Sequence, residues 1–138
     1  MNSLTKISFA STTSTRQTLG AYSLAENTSL KDISFSSTLQ KIEEAAFLGD
    51  TALETLDFGN TLLSSIGKKA FEGTSKLSKM VLPTSVTLID EYAFKGSALT
   101  ILEYQGTKEQ FKNIGKKENA FEGSSLSSVL CSDGPIDL

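Results

Sequence analysis

The chain has 138 residues, 38% of them hydrophobic, with a formal net charge of −3 and a pI near 5.0. That length and apolar content suit one small domain, and no stretch approaches the roughly 20 apolar residues of a membrane span. The acidic balance argues against an electrostatic nucleic-acid surface, the lack of histidine removes the commonest general base and metal ligand, and a lone cysteine excludes an intrachain disulfide.

In chain order, Met1 to Thr15 has neither the basic start nor the apolar core of a secretory signal. Within it, Leu4-Thr-Lys-Ile7-Ser-Phe9 alternates as a strand with one buried face should, and no capping element precedes it. Its strand edge is therefore a candidate for pairing with another copy. Residues 4–41 read as degenerate repeats, departing most at Ser11 to Thr15 and at Tyr22-Ser23-Leu24. Asn27-Thr28-Ser29 matches the N-glycosylation pattern but reads as a loop feature.

From residue 42 to 103 the repetition is regular. One unit runs Leu53-Glu-Thr-Leu56-Asp-Phe58, then a turn, then Ile66-Gly-Lys-Lys-Ala70-Phe71-Glu-Gly73. The alternation around Leu56 predicts a strand, and nothing between Ile66 and Phe71 has the length of a helix. The second half recurs as Ala46-Phe47-x-Gly49, Ala70-Phe71-x-Gly73, Ala93-Phe94-x-Gly96 and Ala120-Phe121-x-Gly123. Three columns keep step: Leu4, Leu30, Leu53, Leu77, Leu99 and Leu126; Leu24, Phe47, Phe71, Phe94 and Phe121; and Leu19, Ile42, Ile66, Ile89 and Ile114. Self-similarity at about this period predicts a solenoid, whose units bury their apolar faces only by stacking on one another.

The Lys68-Lys69 and Lys116-Lys117 pairs follow Ile66-Gly67 and Ile114-Gly115 and read as a solvated corner of the coil; without a preceding glycine loop they make no phosphate cradle. Beyond residue 103, Thr107 and Gln110 have capping-box spacing, predicting a short helix from Lys108 to Asn113. Phe111 and Ile114 would then cover the apolar end of the stack; the alternative is a loop insertion that lengthens one repeat. Aligning Leu126-Ser-Ser-Val129-Leu130-Cys131 with Leu53-Glu-Thr-Leu56-Asp-Phe58 places the thiol inward, as an inert packed group rather than a reactive one. Serines and carboxylates are plentiful, yet none falls in a recognisable nucleophile motif.

Leu77-Ser-Lys-Met80-Val-Leu82-Pro83-Thr-Ser-Val86-Thr-Leu-Ile89-Asp-Glu-Tyr-Ala93-Phe94-Lys-Gly96 resembles a near-consensus unit of the BspA-type (Treponema pallidum-type) leucine-rich repeat family, and the resemblance extends over about residues 4–134. Two features depart from the family pattern. The cysteine usual after Ala-Phe-x-Gly is replaced by Asp50, Thr74, Ser97 and Ser124, and the Leu-Pro step occurs at Pro83 alone. Tyr104-Gln-Gly106-Thr107-Lys-Glu-Gln110-Phe111 resembles the element that often closes such arrays, with Phe111 where relatives commonly carry tryptophan.

Pattern and resemblance together predict a leucine-rich repeat solenoid: a right-handed stack of five to six rungs of about 23 residues, with a parallel β-sheet on one face, short strands, turns or 3-10 segments on the other, and little α-helix. The expected organisation is one domain over 1–138, with a closing repeat at 104–134 and a tail at 135–138. Alternation turns Leu56 and Phe58 inward, so two ladders face solvent: Lys6, Asp32, Thr55, Lys79, Ile101, Ser128, and Ser8, Ser34, Asp57, Val81, Glu103, Leu130. Thr55, Asp57, Lys79, Val81, Ile101, Glu103 and Leu130 form the candidate partner-binding face, because apolar side chains among charges mark protein contacts. No catalytic, cofactor or metal site is expected.

The resemblance implies a non-catalytic protein–protein interaction module of adhesion type, on a cell surface or secreted. Its implied partner is an extracellular-matrix or cell-surface protein, with no nucleic acid and no membrane insertion. The rival expectation is a structural spacer or assembly element working through open solenoid ends.

Overall fold

A computed structural model of the chain describes residues 5–9 and 17–138; Leu4 and the stretch Ser11 to Thr15, named above, lie outside them. The strands are β1 (Lys6–Ser8), β2 (Gln17–Leu19), β3 (Asp32–Ser34), β4 (Leu39–Ile42), β5 (Thr55–Asp57), β6 (Ser65–Ile66), β7 (Lys79–Leu82), β8 (Leu88–Ile89), β9 (Ile101–Tyr104), β10 (Gly115–Lys116), β11 (Ser128–Cys131) and β12 (Gly134–Asp137); the one helix described, α1 (Lys108–Lys112), falls between β9 and β10. One parallel sheet runs β2-β4-β6-β8-β10, and a second is parallel through β5-β7-β9-β11 with β12 antiparallel at its edge, while β1 and β3 form a separate parallel pair. The result is a β-solenoid of about five turns with very little helix, the stacked architecture that the repeat predicts.

Each rung contributes the same inward set. Leu56, Met80 and Leu102 lie in register, as do Ile42, Ile66 and Ile89, and all six are buried. The Ala-Phe-x-Gly turns stack directly. Phe47, Phe71, Phe94 and Phe121 lie with ring centroids 5.1, 5.5 and 5.5 Å apart and planes within 11°, and such pairs contribute about 0.5–1.5 kcal/mol beyond their area. Backbone bonds run the same way, Phe47 N to Ala70 O, Phe71 N to Ala93 O, Gly49 N to Glu72 O and Gly73 N to Lys95 O.

The motif's glycine has a steric cause. Gly73 and Gly96 sit at φ +75° and +73°, in left-handed backbone that disfavours any other residue, and a Cβ on Gly96 would lie 3.4 Å from the backbone nitrogen of Gly73. Three residues after each column phenylalanine comes the small polar position. Thr74 and Ser124 donate from their hydroxyls to Phe71 O and Phe121 O at 2.7 and 2.8 Å, and Asn27, in the same place one turn before Asp50, donates from Nδ2 to Leu24 O at 2.7 Å.

Asp50 breaks that pattern. Fully buried, it accepts from Asn27 N–H through Oδ1 at 2.8 Å, whereas its Oδ2 has no hydrogen-bond partner. Burial pushes its carboxyl up to about 7, against the pull of the Asn27 bond and helped by the charge of Glu26.

The C-terminal region follows the expectations in part. α1 forms with a complete capping box, Gln110 N donating to Thr107 Oγ1 and Thr107 N to Gln110 Oε1. Phe111 is buried against Tyr104 and Phe121. Ile114 is buried too, yet it does not continue the isoleucine column, because Lys116 is the residue in register with Ile89. The inserted helix shifts the register. Nor do the two lysine pairs share a position: Lys116 turns inward over the Phe111 ring, 4.6 Å from its centroid, and donates to Phe111 O and Ile114 O at 2.8 and 3.0 Å. Burial lowers the pKa of its amine. Residues 135–138, expected as a tail, supply most of β12, the antiparallel partner of β11.

Candidate functional site

Strand alternation builds the outer face of the second sheet. Thr55, Lys79 and Ile101 are in register across β5, β7 and β9; Asp57, Val81, Glu103 and Leu130 are in register across β5, β7, β9 and β11. All seven candidate residues therefore lie on one surface, opposite the buried Leu56, Met80, Leu102 and Val129.

Exposure along this face is graded. Ile101 and Leu130 are each 48% exposed, Val81 on the far side of β9 from Leu130 is half-buried, and Thr55 and Asp57 face solvent. Lys79 Nζ lies 3.5 Å from Glu103 Oε1 across one strand spacing. Both side chains are well solvated, so the pair contributes about 0.2–1 kcal/mol, but it holds a charge of each sign next to the apolar pair. The surface is shallow. A concavity of about 310 Å³ lies among Val81, Glu103, Tyr104, Gln105 and Leu130, and a second of about 200 Å³ lies among Thr55, Asp57, Lys79 and Val81.

The expected ladders do not run unbroken to the N-terminus. Lys6 pairs with Asp32 and Ser8 with Ser34, but β3 and β5 share no ladder hydrogen bond. In the neighbouring rungs the residues that open a strand donate back to the carbonyl before it, Lys31 N to Thr5 O, Ser78 N to Glu54 O and Thr100 N to Ser78 O. No such bond joins Glu54 or Thr55 to Lys31. At the same junction the Asp50 carboxylate crosses between turns to Asn27 N–H. The core side stays closed by Phe35 and Phe58, whose ring centroids are 4.5 Å apart. A polar cleft of about 440 Å³ opens on the outer face between Asp32, Ser34, Thr55 and Asp57. The candidate face thus divides into a C-terminal apolar half and an N-terminal polar half.

Cys131 faces inward at the position of Phe58 and Tyr104, where burial raises its thiol pKa and the Asp133 charge adds to the rise, so the thiol stays protonated. Among the described residues no three metal-binding side chains cluster. Sequence reasoning missed the Asp50 wedge and the inward Lys116; the departure from hydroxyl to carboxylate at position 50 was the one signal for the former.

The family profile described as BspA type leucine rich repeat region matches residues 1–127 in six copies. Comparison with curated proteins and with solved structures gave no match.

Proposed function

The chain belongs to the BspA-type leucine-rich repeat family, and from that premise we propose that it is a non-catalytic interaction module of adhesion type, part of a surface or secreted protein. That family suggests a protein-interaction repeat module; the adhesive role, the location and the partner are our reading. The observation that carries it is the outer face of β5, β7, β9 and β11, where Ile101 and Leu130 stand exposed beside the Lys79–Glu103 pair. An apolar centre rimmed by charge is what a protein partner desolvates productively.

For the rival reading of a spacer or assembly element, strand addition at the C-terminal sheet edge draws less support. At the C-terminal end β12 lies antiparallel across the β11 edge and carries Pro135, which has no N–H to offer a further strand.

Binding to immobilised fibronectin, fibrinogen and a panel of cell-surface proteins tests the proposal. Saturable binding by the native chain, lost in a Val81→Thr/Ile101→Thr/Leu130→Ser variant of unchanged thermal stability, is the expected result. Equal binding by that variant overturns the assignment to this face.

A further inference from the structure

A further cavity lies off the sheet face. About 590 Å³ in volume, it lies at the C-terminal end of the solenoid, lined by Phe111, Lys116, Phe121, Ile136 and Leu138 among others. β12 and α1 close the second-sheet side of this end, but the last Ala-Phe-x-Gly turn has no turn stacked on it. Phe47, Phe71 and Phe94 are fully buried, each between ring neighbours, whereas Phe121 is half-buried and lines the cavity.

Interior turns show what such a surface is built to meet. The amides of Phe71 and Gly73 donate to the carbonyls of Ala93 and Lys95, the two residues flanking Phe94, while the two rings stack. The Leu24, Phe47 and Phe71 turns thus each read a neighbouring phenylalanine between two carbonyl acceptors, whereas in the Phe94 turn Gly96 N–H donates to Gly123 O and the Phe94 N–H has no acceptor among the described residues. In the last turn the N–H groups of Phe121 and Gly123 have no acceptor among the described residues, and Gly123 is exposed. Ring, donors and cavity occur together.

We propose that this end is a second binding site, distinct from the sheet face, for a peptide segment carrying an aromatic side chain between two free carbonyls. The aromatic ring stacks on Phe121, and the flanking carbonyls accept from Phe121 N–H and Gly123 N–H. Specificity rests on ring and backbone, so the neighbouring side chains of the ligand are read weakly.

The probe is an acetylated, amidated peptide of residues 93–97 of this chain, Ala-Phe-Lys-Gly-Ser, titrated into the full chain while backbone amide resonances are followed. Saturable shifts at Phe121 and Gly123, with Ile101 and Leu130 unmoved, are expected. The Phe94→Ala form of the peptide should bind at least tenfold more weakly. Ile136→Glu, which places charge at the cavity mouth, should weaken binding tenfold while leaving distant resonances in place. No saturable shift up to millimolar peptide, shifts confined to other surfaces, or equal binding of the Phe94→Ala peptide would overturn the proposal. So would movement of the Phe121 and Gly123 amides on concentrating the protein alone, because the occupant would then be a second copy.

Discussion

Two successive rung junctions differ in pairing and in the residue three positions after the Ala-Phe-x-Gly phenylalanine. Between the third and fourth rungs Thr74 donates its hydroxyl to the carbonyl three residues back, and β5 and β7 pair fully through Thr55, Leu56 and Asp57. Between the second and third rungs Asp50 occupies the same place, cannot donate while ionised, and leaves one oxygen buried without a partner; there β3 and β5 do not pair. The apolar columns continue through both junctions. A solenoid thus tolerates a broken ladder where its core is continuous, but a buried charge makes that junction weaker than its neighbours.

The ring stack common to both junctions carries the largest expected effect. Phe71→Ala removes a fully buried ring from the middle of the stack and is expected to cost about 3–5 kcal/mol, measured by urea denaturation, and to uncouple the rungs on either side. A loss below 1 kcal/mol would mean that the stacked rings do not carry the coupling.

Next in size is the Asp50 charge. Its folded-state carboxyl titrates near 7, above the ordinary value of 3.8, so the native state holds its proton more tightly than the unfolded chain. The contribution is fully present below about pH 4 and is lost as pH rises through 7, on the order of 2–4 kcal/mol over that interval. Asp50→Asn keeps an acceptor for Asn27 N–H and supplies a donor, as Asn27 does for Leu24 O. It should raise thermal stability at pH 8 and flatten the pH profile between 4 and 7; an unchanged slope would remove Asp50 as its source.

A smaller effect is expected from Gly96→Ala, which forces a side chain into left-handed backbone against Gly73 and should cost about 1–2 kcal/mol in thermal unfolding. Amide exchange sharpens the contrast without mutation. Glu54 and Thr55 N–H, which lack the bond back to Lys31, should exchange at least tenfold faster than Ser78 N–H, bonded to Glu54 O at 2.9 Å. Smallest of all, Lys79→Ala should change stability by less than about 1 kcal/mol, since its partner Glu103 is solvated.

Most of the architecture was legible because it follows from side-chain periodicity. The alternation at Leu56 and Phe58 and the stepping of Phe47, Phe71 and Phe94 specify inward positions in any solenoid of this period. The seven face residues followed from the same alternation, and their shared surface came with it. Local chemistry was legible too, since Thr107 and Gln110 are close enough in sequence to cap their own helix.

Where legibility ended, an insertion or a long-range pairing was the cause. Between Ile89 and the closing turn, counting columns favoured Ile114, but the helix takes up chain on a path that spacing does not encode, and Lys116 arrives in register instead. Residues 135–138 carry no repeat signal, yet they supply most of β12 because the β11 edge offers unpaired backbone.

The repeat, most of the inward columns and the outward alternation within each strand follow from the residues alone, because strand alternation and turn chemistry act over a few residues. Tertiary structure alone decided that β3 and β5 part, that Asp50 retains a buried orphan oxygen, and that Phe121 ends the ring stack beside an open cavity. Those outcomes depend on what each rung meets on the next, and that contact is made between residues some 23 positions apart.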